Sequence, residues 1–351
     1  MCLYGRRIRN KKYCKNQKNG GIIPPVLDER ALHIEIACGN CIECRQKRAR
    51  EWQVRLQEDI KTNKNGIFIT LTLSNESYTE LSGQVSNKII RELNTLYNIG
   101  YDNQQKNRKI KKLEEKLKGY AKDNEIAKMA IRRFVERWRK KFKKSVRHWL
   151  VTELGHNGTE NIHLHGIIWT NESSETIKEI WNYGFIWTGY DRWKGKENYV
   201  NDETINYTVK YIHKVDFKHK LYKSIVLTSA GMGANYVNSI NARNNKFADK
   251  ETVDNYRTRN GHKLPLTTYW KNKLYTEAEK EKLWMNKLDE QKAYVCGEEI
   301  NTKNGWQEYW KAIKHHRLRN NRLGYGSDKK NWQRAWYEEE RRKKLQEARM
   351  I

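Results

Sequence analysis

The chain has 351 residues, 37% of them hydrophobic, which is enough for a packed core in one large domain or two small ones. Its 70 Lys+Arg against 42 Asp+Glu leave a net charge of +28, the signature of a protein that sits on a polyanion, most often nucleic acid. No run of eighteen apolar residues is present, which argues against a transmembrane helix, and the first residues lack the apolar core of a secretory signal, so a cytoplasmic protein is expected.

Residues 1–37 read as a basic, irregular and extended arm, with Gly20-Gly21 and Pro24-Pro25. Cys38-Gly-Asn-Cys41-Ile-Glu-Cys44 follows, a C-x2-C-x2-C run leading into a helix of about Glu43 to Thr62. In a reducing compartment that spacing argues for a metal rather than disulfides. A tetrahedral zinc site needs a fourth ligand, and Cys2 and Cys14 are both available; free thiols and an iron–sulfur cluster are the competing readings. Ile67 to Leu73, IFITLTL, is a buried central strand by length and content, with Thr70 and Thr72 on one face. Residues 85–145 read as helix with a hydrophilic middle, Gln104 to Lys118, as loop or solvated helical hairpin. From Ile126 an apolar stripe of Ala130, Phe134, Trp138 and Phe142 is suited to packing on a sheet.

Arg147 to Thr170 carries the strongest signal. Two strands flank Asn157-Gly158, the best short-range hairpin marker. Side chains alternate along a strand, so His163 and His165 share a face. Pairing symmetric about the turn sets Glu153 opposite His163, Val151 opposite His165 and Trp149 opposite Ile167. Two imidazoles and a carboxylate on one patch of sheet outline a divalent-metal site, with Glu160 as the competing carboxylate. Leu150, Thr152, Leu164 and Ile168 form the other face, apolar enough to take a helix. A short helix from Glu175 to Trp181 and a strand or turn from Tyr183 to Gly189 come next. Gly189 to Lys196 has the wrong spacing for a P-loop, so no motor is expected in this chain.

Asn201 to Val215 reads as a helix with Asp202 as N-cap. Ile205, Val209 and Ile212 make its buried stripe, and Tyr207, Lys210, Tyr211 and Lys214 recur on the other side. That polar stripe is either a solvated Tyr/Lys face or a site. Ser224 to Val237 runs from a strand into a Gly-rich turn, where Ser229, Gly231 and Gly233 are weak candidates for approach to phosphate, as are Thr70, Thr72 and Lys214. Residues 262–351 read as a helical appendage, with a capping box at Thr276 and Glu279 and a last helix starting at Ser327 or Asp328. Three segments follow: 1–62 with the arm, Cys cluster and first helix, 63–245 as the core with its helical insertion at about 85–145, and 246–351 as a basic helical region.

A metal-bearing hairpin beside a helix presenting two phenols fits phosphodiester transesterification on single-stranded DNA. Three protein ligands leave open positions on an ion that can polarise a phosphate oxygen. A phenol, with an ordinary pKa near 10, becomes a nucleophile when nearby positive charge favours the phenolate. Interleaved Trp and Tyr suit stacking on unpaired bases.

These motifs resemble those of the His-hydrophobe-His (HUH) rolling-circle replication initiators, within them the gokushovirus-like group of the Microviridae. MCLY, CGNCIECRQKRAREWQVRL, ITLTL, HWLVTELG, NIHLHGIIW, WNYGF, YTVKYIHK and VLTSAGMG stand in family order from Met1 to about Trp284. The resemblance implies an α+β HUH endonuclease fold, a central antiparallel sheet flanked by helices, here with an N-terminal Cys-rich segment and a helical C-terminal extension. It implies a site-specific enzyme that nicks and rejoins single-stranded phage origin DNA through a covalent phosphotyrosine. His163 and His165 would hold magnesium or manganese with Glu153 as the third ligand, Tyr207 and Tyr211 would be nucleophiles, and Lys210 would assist at the phosphate. Cys2, Cys38, Cys41 and Cys44 would be the structural zinc set. Host helicase and polymerase would be partners, in the cytoplasm of the bacterial host. The rivals are a non-catalytic zinc-containing DNA-binding protein, a non-haem iron oxygenase, and a relaxase or transposase of the same chemistry.

Overall fold

The opening segment that looks irregular in sequence forms paired structure in the computed structural model, which describes residues 2–100, 103–188, 200–259, 261–327, 329 and 332–348. Arg6–Arg9 (β1) runs antiparallel to His33–Ile36 (β2), Arg6 opposite Ile36 and Arg9 opposite His33. Asn side chains close the stretch between them. Asn10 donates to the Ala31 carbonyl at 2.9 Å, and Asn16 forms a capping box with Asn19 ahead of a left-handed Gly20. Four-residue strands without apolar alternation carry no periodic signal, so the extended-arm reading is corrected here. The Cys-rich run then enters Ile42–Thr62 (α1), whose Ile42 N–H donates to Asn320 Oδ1 at 2.9 Å.

The chain divides into two compact units, each discontinuous in sequence. One comprises Met1–Asp59 and Gly233–Lys329, the other Ile60–Met232 and Lys330–Ile351. The second unit is α+β. Its elements are Gly66–Thr72 (β3), Asn75–Tyr97 (α2), Gln104–Lys116 (α3), Gly119–Phe142 (α4), Arg147–Leu154 (β4), Ile162–Trp169 (β5), Ser174–Trp181 (α5), Ile186–Trp187 (β6), Asp202–His213 (α6) and Val226–Thr228 (β7). The hydrophilic middle of the helical run is thus a helix in its own right, α3, which buries only Leu113.

The strands make one antiparallel sheet in the order β6-β3-β5-β4-β7. In the β4–β5 pair Glu153 faces His163, Val151 faces His165 and Trp149 faces Ile167, the register that alternation about Asn157-Gly158 predicts. One sheet face, with Ile69, Leu71, Leu150, Leu164 and Ile168, shares a core with Leu81, Val85 and Ile89 of α2 and Ile126, Ala130, Phe134 and Trp138 of α4. Each of the large side chains among them, fully buried, contributes roughly 1.5–3 kcal/mol. That packing leaves the opposite face free of α2 and α4. There Thr70 and Thr72 pair with His165 and His163.

The first unit resumes with Ile240–Arg243 (α7), Asn255–Arg257 (β8), Lys263–Pro265 (β9), Thr268–Leu274 (α8), Glu277–Asp289 (α9), Lys292–Val295 (β10), Glu298–Asn301 (β11) and Gln307–Arg322 (α10). The capping box at Thr276 and Glu279 is present. The stretch from 262 is not wholly helical, because β10 and β11 form a hairpin inside it. Its turn is Cys296-Gly297, both at positive φ (50° and 94°), as a tight two-residue hairpin loop requires. Only Ala293 and Val295 of β10 are buried, too short an alternation to stand out. Trp332–Glu347 (α11) belongs to the second unit, where its fully buried Arg342 pairs with Asp123. Asp328, one proposed start for that helix, and the Gly189 to Lys196 stretch lie outside the described residues. Among the described residues no helix is long and apolar enough to cross a membrane.

Candidate active site

Helix α6 begins one residue earlier in capping terms than the sequence suggests. Asn201, not Asp202, is the N-cap: its Oδ1 accepts from Thr204 N–H at 2.9 Å, and the Thr204 side chain returns to the Asn201 backbone. Asp202 and Glu203 then occupy the first turn, where the helix dipole favours negative charge. Ile205, Val209 and Ile212 are buried, as their spacing demands.

The opposite stripe of α6 meets the histidine face of the sheet. The Tyr211 ring stacks on His165, with centroids 4.3 Å apart and planes 3° from parallel. Tyr211 Oη donates to Tyr207 Oη at 2.9 Å. Lys210 Nζ lies 3.5 Å from the Tyr207 ring centroid and 5.6 Å from that of Tyr211. Lys214 Nζ donates to Glu153 Oε1 at 2.6 Å, so this cation contacts the proposed acidic ligand.

His165 is held at both nitrogens. Thr70 Oγ1 is 3.0 Å from Nδ1, and Glu153 Oε2 is 3.0 Å from Nε2. The second approach is close but lacks hydrogen-bond geometry: His165 Nε2 and His163 Nδ1 are both buried atoms without a hydrogen bond. Orphaned buried nitrogens beside a carboxylate fit a cation. Burial, then the neighbouring His165, hold the His163 pKa below its ordinary value, favouring the neutral ligand form. Burial alone would raise the Glu153 carboxyl, but the close approach of His165 and Lys214 outweighs it and keeps the group low and ionised. The set is nonetheless open, with the two imidazole centroids 6.4 Å apart and His163 Nε2 turned toward Gly155. Tyr211 is pushed far above a normal phenol, first by burial and then by its bond to Tyr207, so it needs a cation nearby to ionise.

Several expected contacts fall elsewhere. Thr72 Oγ1 donates to the Phe185 carbonyl. Ser229 Oγ accepts from the His148 N–H at 3.0 Å, and His148 lies five residues before Glu153, about 17 Å along β4. The Gly231 carbonyl accepts from Arg147. Gly233 belongs to the first unit, where its N–H donates to Asp59 and a Cβ would lie 2.6 Å from the Arg55 carbonyl oxygen. The Gly-rich turn therefore serves packing and is not brought to the histidine face. Glu160, the rival carboxylate, is buried and engages Lys218, His219, Arg341 and Arg342 instead. The sequence reading overlooked Phe68 and Trp187. Phe68 lies edge-on to both Tyr207 (5.7 Å) and Trp187 (5.6 Å), and its alternation with Thr70 on β3 was the available signal.

In the first unit Cys2, Cys38, Cys41 and Cys44 bring their sulfurs within 4.8 Å of one another. The Cys2–Cys41 and Cys38–Cys44 separations are both 3.9 Å. Zinc–sulfur bonds of about 2.3 Å in a tetrahedron set the sulfurs about 3.8 Å apart, so the quartet could hold a metal such as zinc. Hydrogen bonds from Cys41 and Cys44 lower the Cys38 thiol, while bonding to Cys38 raises Cys41 to about 11, an unequal sharing of protons that a dication would replace. Cys14 is not part of the set; its sulfur contacts the Asn10 carbonyl.

Residues 119–216 match the model of a family of replication-associated proteins, named for ORF2 and the gene II protein, a span that contains α4, the hairpin and α6. The match supports a phage-type replication initiator, and with it DNA binding. No curated protein and no solved structure matches the chain.

Proposed function

We propose that this protein initiates rolling-circle replication by nicking and rejoining single-stranded DNA at a phage origin, as an HUH-type enzyme of the gokushovirus-like Microviridae. The observation that carries the reading is the stacking of Tyr211 on His165 with Tyr207 hydrogen-bonded to it, which puts both phenols at the Glu153/His163/His165 patch. A magnesium or manganese ion held by those three residues would neutralise charge developing on a non-bridging phosphate oxygen. Thr70 keeps His165 oriented through Nδ1. Lys210, over the Tyr207 face, adds positive charge beside the phenols. Tyr207, the more exposed at 46%, attacks phosphorus; its proton leaves to solvent or base, the phosphotyrosine bond forms, and the P–O3′ bond breaks to release a 3′-hydroxyl. Tyr211, one helical turn on, is placed for the second transfer, in which the strand is rejoined. Strand separation falls to a host helicase and copying to a host polymerase, in the bacterial cytoplasm. The Cys quartet serves as a structural zinc site.

The test is incubation with an origin oligonucleotide and manganese, read on a denaturing gel. Tyr207→Phe with Tyr211→Phe should abolish the covalent protein–DNA adduct, and His163→Ala should abolish cleavage while salt-sensitive binding persists. An adduct in the double variant refutes the nucleophile assignment. Binding without any adduct in the wild-type protein would favour a zinc-containing DNA binder.

A further inference from the structure

A third set of metal-type side chains lies outside both sites above. We propose that His156, Asp216 and His219 form a separate divalent-metal site of the zinc class that ties the exit of α6 to the β4–β5 turn. The three residues come from two loops: His156 from the turn after β4, Asp216 and His219 from the segment after α6. One ligand atom of each lies within 4.8 Å of the others.

The geometry converges on one oxygen. Asp216 Oδ2 is 2.6 Å from His219 Nδ1 and 3.2 Å from His156 Nε2. Asp216 Oδ1 accepts the backbone N–H groups of Lys218 and His219, which turns Oδ2 toward the imidazoles. His219 is fully buried, and its Nε2 sits 2.8 Å from Glu160 Oε2. A carboxylate behind one ring nitrogen fixes the proton there and leaves the other nitrogen's lone pair for a metal, the usual support for a ligating histidine. In that tautomer Nδ1 and Asp216 Oδ2 are two acceptors facing each other, which requires a proton or a cation between them. His156 supplies a third acceptor aimed at the same oxygen.

A tetrahedral zinc with bonds of about 2.0–2.1 Å sets its donors about 3.3 Å apart. The 3.2 Å separation meets that, and the 2.6 Å one must widen by roughly 0.7 Å. Among the described residues no Lys or Arg pairs with Asp216; Lys218 instead reaches Glu160 and the His156 carbonyl. The ordinary cations of the surface therefore leave this carboxylate to the histidines. His156 is 47% exposed, which gives solvent access to a fourth position. The set shares no ligand with Glu153, His163 and His165, and the inference stands independently of the proposed nicking activity.

The experiment is titration of cobalt(II) and zinc(II) into chelator-treated full-length protein, His156→Ala and His163→Ala. The wild-type protein should bind one more cobalt ion than His156→Ala, with visible d–d absorption free of the thiolate charge-transfer band that a cysteine site gives. His163→Ala should keep that ion. Zinc should raise the wild-type melting temperature by roughly 5 °C more than that of His156→Ala. Asp216→Asn, which retains Oδ1 for the backbone bonds, should behave as His156→Ala. Equal metal counts and equal zinc-induced shifts in wild type and both variants would overturn the site and leave a proton in its place. The DNA adduct is scored separately, so loss of either reading leaves the other intact.

Discussion

At the scale of single residues, two positions on β3 and β5 control the histidine face. Gly166 lies between His165 and Ile167, where a Cβ would stand 2.0 Å from the Trp149 carbonyl oxygen and 2.8 Å from Leu150 Cα. Only a hydrogen fits while β4 and β5 keep their separation. Gly166→Ala should therefore destabilise the protein by about 3 kcal/mol or more, seen as a lower urea midpoint. A midpoint within error of wild type would mean the strands can part at little cost. Thr70 acts more finely, through 3.0 Å to His165 Nδ1. Thr70→Val keeps the shape of the strand and removes the hydroxyl, so manganese affinity should fall by roughly 10–100-fold with little loss of stability. Calorimetric titration distinguishes this from a direct role in DNA contact, which would leave manganese binding unchanged.

At the scale of elements, the hairpin and α6 were legible because each repeats a strong period. Alternation about Asn157-Gly158 fixes which residues oppose each other, and a helical repeat puts Tyr207 and Tyr211 on one stripe away from Ile205, Val209 and Ile212. What periodicity does not encode is distance across the chain. It left Cys2 and Cys14 equal, although only Cys2 reaches Cys38, Cys41 and Cys44. It left Glu160 as a rival ligand, although a left-handed backbone (φ 53°) sets it apart from the strand, among His219, Lys218, Arg341 and Arg342. Short strands such as β1, β2, β10 and β11 gave no repeat to read. Glu160 now joins the hairpin turn, the exit of α6 and α11. Burial opposes its ionisation, but hydrogen bonds from Arg341, Lys218 and His219 prevail and bring its pKa down to about 2. Because the folded value lies below the unfolded one, near 4.3, its contribution is complete above about pH 4.3 and is lost as pH falls through about 2. The total is about 3 kcal/mol. Glu160→Gln should flatten the stability profile across that window; an unchanged acid limb in urea unfolding would place the loss on other carboxylates.

At the scale of the whole molecule, the two units are each assembled from separated stretches of chain, and the last helix is the most exacting instance. After the first unit is complete in sequence, α11 belongs with the sheet-bearing unit. Its Arg342 has no exposed side-chain surface and donates through Nε and Nη2, both at 2.8 Å, to Asp123, which has none either. Tyr78 Oη also donates to Asp123, at 2.6 Å, and Arg342 reaches the Glu160 carbonyl at 3.0 Å. Replacing such a pair by two apolar residues is often harmless, but removing one partner leaves a charge buried without its counterion. Arg342→Met should accordingly cost about 3–5 kcal/mol, and adding Asp123→Asn should recover part of it. Truncation after Lys329 removes Arg341 and Arg342 together and should be at least as damaging as Arg342→Met. Urea unfolding of the four proteins decides the matter: if the truncated chain unfolds at the wild-type midpoint, α11 is an appendage, whereas the predicted ladder makes it part of the fold that presents the tyrosines to the histidines.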